Sequence, residues 1–343
     1  MNYFLLIDGH ALIYRAYHAF PDLTAPDGRL VNAVYGFSRI MLTALRNFDP
    51  EYAAVAFDHH APTFRHQLDE TYKAQREDMP QELVDQLEPI KQVVEALNIP
   101  QFELAGYEAD DLIGTLARQA EKLVNRRKLD LSVVIVTGDK DSLQLVNDVV
   151  HVWMPARGKK QVAAEYDRAA VVKKMGVAPG QVVDLKALMG DSSDNIPGVK
   201  GIGAKTAAVL LQAFGNLDRL YKVVDGLDDD GKLPPRVGPS PDRLSRSPDR
   251  LSAPTDRLSA PQRSALKPAV VSKLCAGREA AYQSQQLAAI VTDVPIKLDL
   301  EMCRVTAYHK DRVLELFDRL GFMSLVKLLP PDTFETELQE ALF

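Results

Sequence analysis

The chain has 343 residues, 46% of them hydrophobic and 26% charged, which suits one large or two modest domains of a globular protein. No apolar run reaches the roughly 18 residues that span a bilayer, and the opening MNYFLLIDGH reads as a first strand rather than a secretory leader. The two cysteines, Cys275 and Cys303, exclude a disulfide framework and point to a reducing cytoplasm, and the net charge of −6 argues against a nucleic-acid partner unless bound cations neutralise a group of acids.

In chain order, the first 190 residues alternate short apolar runs with amphipathic stretches. YFLLID (3–8), YAAVAFD (52–58) and SVVIVTGD (132–139) are β-rich runs, each ending in aspartate. NAVYGFSRIMLTALRNF (32–48) and ADDLIGTLARQAEKLVN (109–125) carry helical spacing. The alternation predicts an α/β fold with a parallel sheet covered on both faces, where ligands bind beyond the carboxyl ends of the strands. Asp8, Asp58 and Asp139 would then meet at one edge. Residues 62–97 read as a helical stretch, basic and aromatic in its first half and divided by Pro80, that leaves the sheet as an arch. Residues 180–224 read as helical around a glycine-rich turn. Composition then shifts, with eight of the 21 prolines in 229–268 and the tetrapeptide DRLS at 242, 249 and 256. Each seven-residue unit has one apolar position and a proline in or beside it, so this is no coiled coil and reads as a disordered or extended insertion. Helical and strand patterns resume over 269–343.

Nine carboxylates follow the apolar runs or open helices: Asp8, Asp58, Glu108, Asp110, Asp111, Asp139, Asp141, Asp191 and Asp194. YEADD taken alone also suits a helix N-terminus, where the macrodipole favours negative charge, and Asp141 suits a cap. As a set, however, uncompensated carboxylates at one sheet edge would raise one another's pKa values, and divalent cations remove that conflict. Oxygen donors without supporting His or Cys select Mg²⁺ or Mn²⁺, and a pair of such ions suits phosphodiester displacement. Committing nine acids to metal turns the formal charge of −6 into +3 on the remainder. His59, His60 and His66 read as solvated residues near a strand end.

FRHQLDETYKAQR carries Arg65, Tyr72, Lys73 and Arg76. These residues suit a solvated helix face. Equally, Lys73 and Arg76 suit cations aimed at a scissile phosphate, with Tyr72 stacked on an unpaired base. NIPGVKGIGAKTAAVLLQAF reads as helix, turn, helix. Gly198, Gly201 and Gly203 permit a tight turn and close approach by a ligand, and N–H groups at the next helix start suit a phosphate. Lys200, Lys205 and Thr206 lie in the same stretch. Such contacts grip a nucleic-acid backbone and carry no base code.

Asp8, Asp58, YEADD (107–111), GDKD (138–141) and GDSSDN (190–195), followed by PGVKGIGAKTA, form an ordered series. It closely resembles the 5′ nuclease domain of the bacterial DNA polymerase I family and its stand-alone relatives, kin of the flap endonucleases. The resemblance covers nearly the whole chain except 229–268. It implies a PIN-like nuclease core over 1–180 with an arch at about 62–97. It also implies a mainly helical region over 181–228 and 269–343, with a helix-three-turn-helix (helix-hairpin-helix) element for duplex DNA and a C-terminal packing segment. Asp8, Asp58, Glu108 and Asp110 match the first metal group. Asp111, Asp139, Asp141, Asp191 and Asp194 match the second. Lys73 and Arg76 match the catalytic basic residues, Tyr72 their neighbouring aromatic, and Arg65 is expected at the DNA.

The resemblance further implies two Mg²⁺ ions, with Mn²⁺ as a substitute, and K⁺ between the glycine turn and DNA phosphate. The expected reaction is hydrolysis near 5′ ends of nicked, branched or 5′-flap duplexes, RNA-primed ones included, for primer removal and repair. The products would carry 5′-phosphate and 3′-hydroxyl. A nucleoid-associated monomer without membrane contact is expected. No polymerase segment is expected within the 343 residues, so a separate DNA polymerase is the expected partner. Relatives lack the proline-rich array, and its removal over 232–262 is expected to leave cleavage nearly intact. Two other readings remain. A PIN-type ribonuclease would keep the acids without needing the glycine turn. A non-catalytic DNA-binding scaffold predicts missing acids, whereas the full series is present.

Overall fold

The computed structural model describes residues 2–156, 162–227, 258–305, 308–335 and 337. It divides into two units, one of residues 1–70, 76–174 and 290–343, the other of residues 71–75 and 175–289.

The first unit is built on a six-stranded sheet in the order β3-β2-β1-β4-β5-β6. Strands β1 (Asn2–Asp8), β2 (Tyr52–Ala56), β3 (Gln101–Phe102), β4 (Leu131–Val136) and β5 (Val150–Met154) run parallel, and β6 (Ala164–Tyr166) closes the edge antiparallel. β2 and β4 are buried along their whole length and β1 along most of it, which is why their sequences are continuously apolar rather than alternating. β1 lies between β2 and β4, with Asp8 paired to Ala56 and Ile7 to Val136. The sheet therefore sets the chain ends that lead to Asp8, Asp58 and Asp139 side by side. Helix α1 (Gly9–Ala19) starts directly after β1. Helix α2 (Asn32–Phe48) turns Val34, Phe37, Met41 and Leu45 into the core at the three- and four-residue spacing of one helix face.

The stretch read as an arch divided by Pro80 holds three short helices. It breaks into α3 (Phe64–Leu68), a turn, α4 (Gln81–Val84) and α5 (Leu87–Ala96). Leu83, Ile90, Val93, Val94 and Leu97 are buried in the sheet's core cluster, so the second half of 62–97 is core rather than arch. The spacing of Ile90, Val93, Val94 and Leu97 puts them on one face of α5, and burying that face outweighs a free-standing helix. Residues 71–75 belong to the second unit. Helix α6 (Ala109–Arg127) follows β3, and α7 (Arg168–Met175) follows β6.

The C-terminal stretch, expected to pack with the helical region, groups instead with the sheet unit from Ile290 onward. Val305 N–H bonds the Glu51 carbonyl at 3.1 Å, extending the backbone pairing beside β2. Helix α14 (Lys310–Leu320) buries Val313, Phe317 and Leu320 in the same core as Phe37.

The second unit holds α8 (Val182–Met189), α9 (Ala204–Phe214), α10 (Leu217–Val224), α11 (Ala260–Ala265), α12 (Pro268–Ala276) and α13 (Arg278–Ala288). Asp184 is buried and ties three helices together: it accepts from the Leu217 amide at 3.0 Å and the Gln285 side chain at 2.6 Å. Most of the predicted 229–268 insertion lies outside the described residues. Its last part, expected to be disordered or extended, is ordered. Ser259, the serine of the third DRLS unit, caps α11 in a capping box with Gln262, and Ala265 and Leu266 are buried. Gln262 also donates to the Ala213 carbonyl at 3.1 Å. Among the described residues, no helix is long and apolar enough to cross a membrane.

Candidate active site

Asp8 ends β1 and caps α1, its Oδ1 accepting from the Ala11 amide at 3.0 Å. Its Oδ2 accepts from Thr137 Oγ1 at 2.6 Å. The same Thr137 oxygen accepts from the Asp139 amide at 3.0 Å, and Asp139 Oδ1 accepts from the Asp141 amide at 2.9 Å. A hydrogen-bonded series thus runs from the end of β1 to the turn after β4. Burial pushes the Asp8 carboxyl up to about 7, and the charges of Asp58 and Asp139 add to the rise against the Thr137 and Ala11 hydrogen bonds.

Asp58 follows β2, and its Oδ1 accepts from the Ala109 amide at 2.7 Å, at the first turn of α6. His10, not singled out in the sequence, turns Nδ1 toward this residue and accepts the Asp58 backbone N–H at 2.9 Å. Neutral His10 therefore carries its proton on Nε2. Burial lowers its pKa, while Asp58 pulls the other way. Tyr14 on α1 is a second residue missed by sequence reasoning. Burial raises its phenol, Arg76 lowers it and Asp58 raises it, so Tyr14 feels both the cation and the carboxylate. The histidine at the end of DGH and a tyrosine one turn further along α1 were the available signals.

Glu108 and Asp111 form a capping box at the start of α6. Asp111 departs from the expected ligand role. It is fully buried and takes both guanidinium nitrogens of Arg65 at 2.8 Å. It also accepts from the amides of Glu108 at 3.1 Å and Val291 at 2.8 Å. Four donors saturate a carboxylate's lone pairs and leave no oxygen for a metal. Arg65 departs likewise from its expected place at DNA, since its side chain is 2% exposed and the Glu108 carboxylate also lies 3.7 Å from its Nη1.

The second unit carries Asp191 and Asp194 on the loop after α8. Asp191 is partly buried, which favours its neutral form. The Lys186 ammonium at 2.5 Å and two hydrogen bonds from Ser193 outweigh that and hold it below the usual carboxylate range. Asp194 is buried and its carbonyl accepts from the Lys73 amide at 3.0 Å. Tyr72, expected to stack on a base, is 3% exposed and packs with Ile196, Leu287 and Ala288. Its ring lies 5.0 Å from the Lys73 ammonium. Arg76 is exposed in the first unit.

In the glycine turn, Gly198 packs against the chain itself. It is buried with φ +61°, its amide donates to Ser284 Oγ at 2.9 Å, and a Cβ there would meet the Gly190 amide nitrogen at 2.2 Å. Gly201, Gly203, Lys200 and Lys205 are exposed and Thr206 is half-buried. Gly203 caps α9 without a side chain, leaving the first N–H groups of that helix open to an anion.

Among the described residues, no three or more His, Cys, Asp or Glu side chains are drawn together closely enough to hold a metal ion. The donor chemistry nonetheless fits a hard divalent cation. Asp8, Asp58 and Asp139 offer oxygen only, and the raised pKa of Asp8 reflects buried negative charge that such a cation would relieve.

The model of the 5′-3′ exonuclease N-terminal resolvase-like domain matches residues 3–176, and that of the 5′-3′ exonuclease C-terminal SAM fold matches residues 177–249. DNA polymerase I of Chloroflexus aurantiacus is 44% identical over 334 residues, which cover 95% of this chain and 30% of that protein. The chain thus spans about a third of the length of the curated relatives it matches. A structure of the T5 5′-exonuclease with bound zinc shares the fold, with a TM-score of 0.58 at 20% identity over 99% of both chains. The catalytic core of Rad2 in complex with DNA substrate aligns with a TM-score of 0.51 at 14% identity, over 100% of this chain and 92% of that one. By its two consecutive domains, the chain belongs to the 5′-3′ exonuclease family.

Proposed function

We propose that the chain is a divalent-metal-dependent, structure-directed 5′ nuclease that hydrolyses DNA phosphodiesters near 5′ ends at nicks and flaps. The observation that carries this reading is the adjacency of β2, β1 and β4, whose ends lead to Asp58, Asp8 and Asp139. Oxygens of Asp8, Asp58, Glu108, Asp110, Asp139 and Asp141 would hold Mg²⁺, with Mn²⁺ as a substitute. When bound, the metal supplies charge neutralisation of the phosphate and a more acidic water. Asp191 and Asp194 are carried over as ligands from the family resemblance. Asp111 is assigned to folding instead.

Around these donors the chain's own residues orient and hold. Thr137 and the Ala11 amide fix the Asp8 carboxylate, and the Ala109 amide fixes Asp58. Lys73 and Arg76 are the cations proposed to meet the scissile phosphate. The open N–H groups of α9, with Lys200, Lys205 and Thr206, would grip the duplex backbone, with K⁺ at the exposed Gly201–Gly203 turn. The substrates proposed are branched, nicked or 5′-flap duplexes, including RNA-primed ones. A DNA polymerase fills the resulting gap, and the work takes place at the nucleoid with the nuclease as a monomer.

The test is cleavage of a 5′-labelled flap duplex with Mg²⁺, comparing the native chain with the Asp139→Ala/Asp141→Ala variant. Cleavage by the native chain and its loss in the variant is the expected outcome. Equal cleavage by both, or faster cutting of single-stranded RNA than of flap DNA, overturns the proposal.

A further inference from the structure

Residues 71–75 are separated in sequence from the rest of the second unit by residues 76–174, yet they fold into it. The Lys73 amide donates to the Asp194 carbonyl at 3.0 Å. Gln75 Nε2 donates to the carbonyls of Ser192 and Ser193, both at 3.0 Å. In return, Asn195 Nδ2 donates to the Thr71 carbonyl at 2.8 Å. Tyr72 anchors the middle of the segment in the apolar cluster with Ile196, Leu287 and Ala288.

Between these ties Lys73 takes φ +56°, a left-handed backbone that is uncommon for a residue other than glycine. Asn195, on the other side, takes φ +58°. Off-region backbone persists where its surroundings over-determine it, and such strain gathers where a side chain must be aimed. The two amide side chains supply that determination from opposite directions, one from each segment. The sequence separates them as YKAQ and SSDN, and neither amide side chain carries a charge of its own to bring to a phosphate.

We propose that Gln75 and Asn195 are positioning residues that clamp the 71–75 segment onto the 192–195 loop and thereby aim the Lys73 ammonium for cleavage. The proposal rests on the nuclease reading and on the role given there to Lys73. Neither side chain touches substrate. Each acts through the backbone that carries Lys73.

The variants are Gln75→Glu and Asn195→Gly, measured in single-turnover cleavage of a 5′-flap duplex at saturating enzyme with Mg²⁺. Gln75→Glu keeps the shape but turns an acceptor toward two carbonyl oxygens. Asn195→Gly keeps the left-handed backbone and removes only the donor. Gln75 is exposed, so its variant should melt as the native chain does. Each variant is expected to slow cleavage about tenfold, as misplacement of a catalytic group does, while flap binding measured in Ca²⁺ stays within about threefold. The deciding readout is a double-mutant cycle with Lys73→Ala, in whose background Gln75→Glu is expected to cost nothing further. Native cleavage rates in both variants, or an equal loss with and without Lys73, overturn the proposal. Lys73→Ala cutting at the native rate overturns it together with the role of Lys73. That result is distinguishable from a slow Lys73→Ala beside a fast Gln75→Glu, which removes the clamp alone.

Discussion

Arg65 and Asp111 form a bidentate ion pair with both bonds at 2.8 Å, and their side chains are 2% and 0% exposed. Two residues read as a DNA contact and a metal ligand are thus each other's partner, sealed beneath the start of α6. Removing one member leaves a buried charge uncompensated, which costs about 3–5 kcal/mol. Asp111→Ala is therefore expected to lower the denaturant midpoint of the sheet unit strongly, whereas Asp139→Ala, on a partly exposed turn, is expected to leave it nearly unchanged. Urea titrations followed by far-UV circular dichroism compare the two. Equal midpoints would count against the structural assignment of Asp111.

The elevated carboxyl of Asp8 has a signed consequence for the metal-free protein. Its folded-state pKa of about 7 lies above the unfolded value of 3.8, so the folded state holds the proton more tightly. The stability it contributes is complete below the unfolded value and is lost as pH rises through about 7. In EDTA, the melting temperature should fall across this window, and Asp8→Asn should flatten the fall. Added Mg²⁺ should restore the native protein at the alkaline end but not the Asn variant. A native melting curve indifferent to pH between 5 and 8 would contradict the assignment.

The two cysteines should differ in reactivity. Burial pushes the Cys303 thiol up to about 12, and its Sγ donates to the Asp299 carbonyl at 3.3 Å, while Cys275 is exposed. Since the thiolate is the nucleophile, an aromatic disulfide reagent at pH 8 should titrate one thiol in the native protein and two after denaturation. Rapid native reaction of both would show that the region around Cys303 opens.

At the glycine turn, Gly198→Ala drives a methyl group into the Gly190 backbone and forces alanine to φ +61°. A loss of several kcal/mol in the second unit is expected, since strained backbone and overpacking add. Gly203→Ala meets nothing within 4 Å and should cost only the poorer N-cap, about 0.5–1 kcal/mol. Hydrogen exchange of the α8 and α9 amides separates the two outcomes.

Ser259 makes the boundary of the repeat region testable. Ser259→Ala removes a capping box and should cost about 1 kcal/mol. A deletion over 232–262 takes this cap and the Gln262 bond to Ala213 with it, so it is expected to destabilise the helical unit where a deletion ending at 257 does not. Thermal melts of the two deletions make the comparison.

Some of this was legible in the sequence. Strands ending in aspartate announce themselves, because full burial demands continuous apolar runs and the chain must turn polar on leaving the sheet. The glycine turn was legible for the same local reason. What escaped was set by partners distant in sequence. Arg65 and Asp111 are 46 residues apart, and nothing in FRHQL distinguishes a surface arginine from one matched to a carboxylate elsewhere. Tyr72 looked like a stacking platform, and only the fold shows that Ile196 and Leu287 cover it. The C-terminal helix was assigned to the wrong neighbours because amphipathic spacing shows that a face is buried without naming what buries it. His10 and Tyr14 were passed over because their relevance depends on Asp58 and Arg76.

No residue separates β1 from α1: Asp8 is the last of one and caps the other, and Gly9 packs so closely that a Cβ would stand 2.4 Å from the Phe57 ring. Protein engineers usually retune an active site by grafting or resizing the loops around it. Here there is no loop at Asp8 to graft. On the proposed nuclease reading, a change in metal preference would have to come from the Asp58 side or the 138–141 turn, with Asp8 kept as the fixed point from which the others are measured.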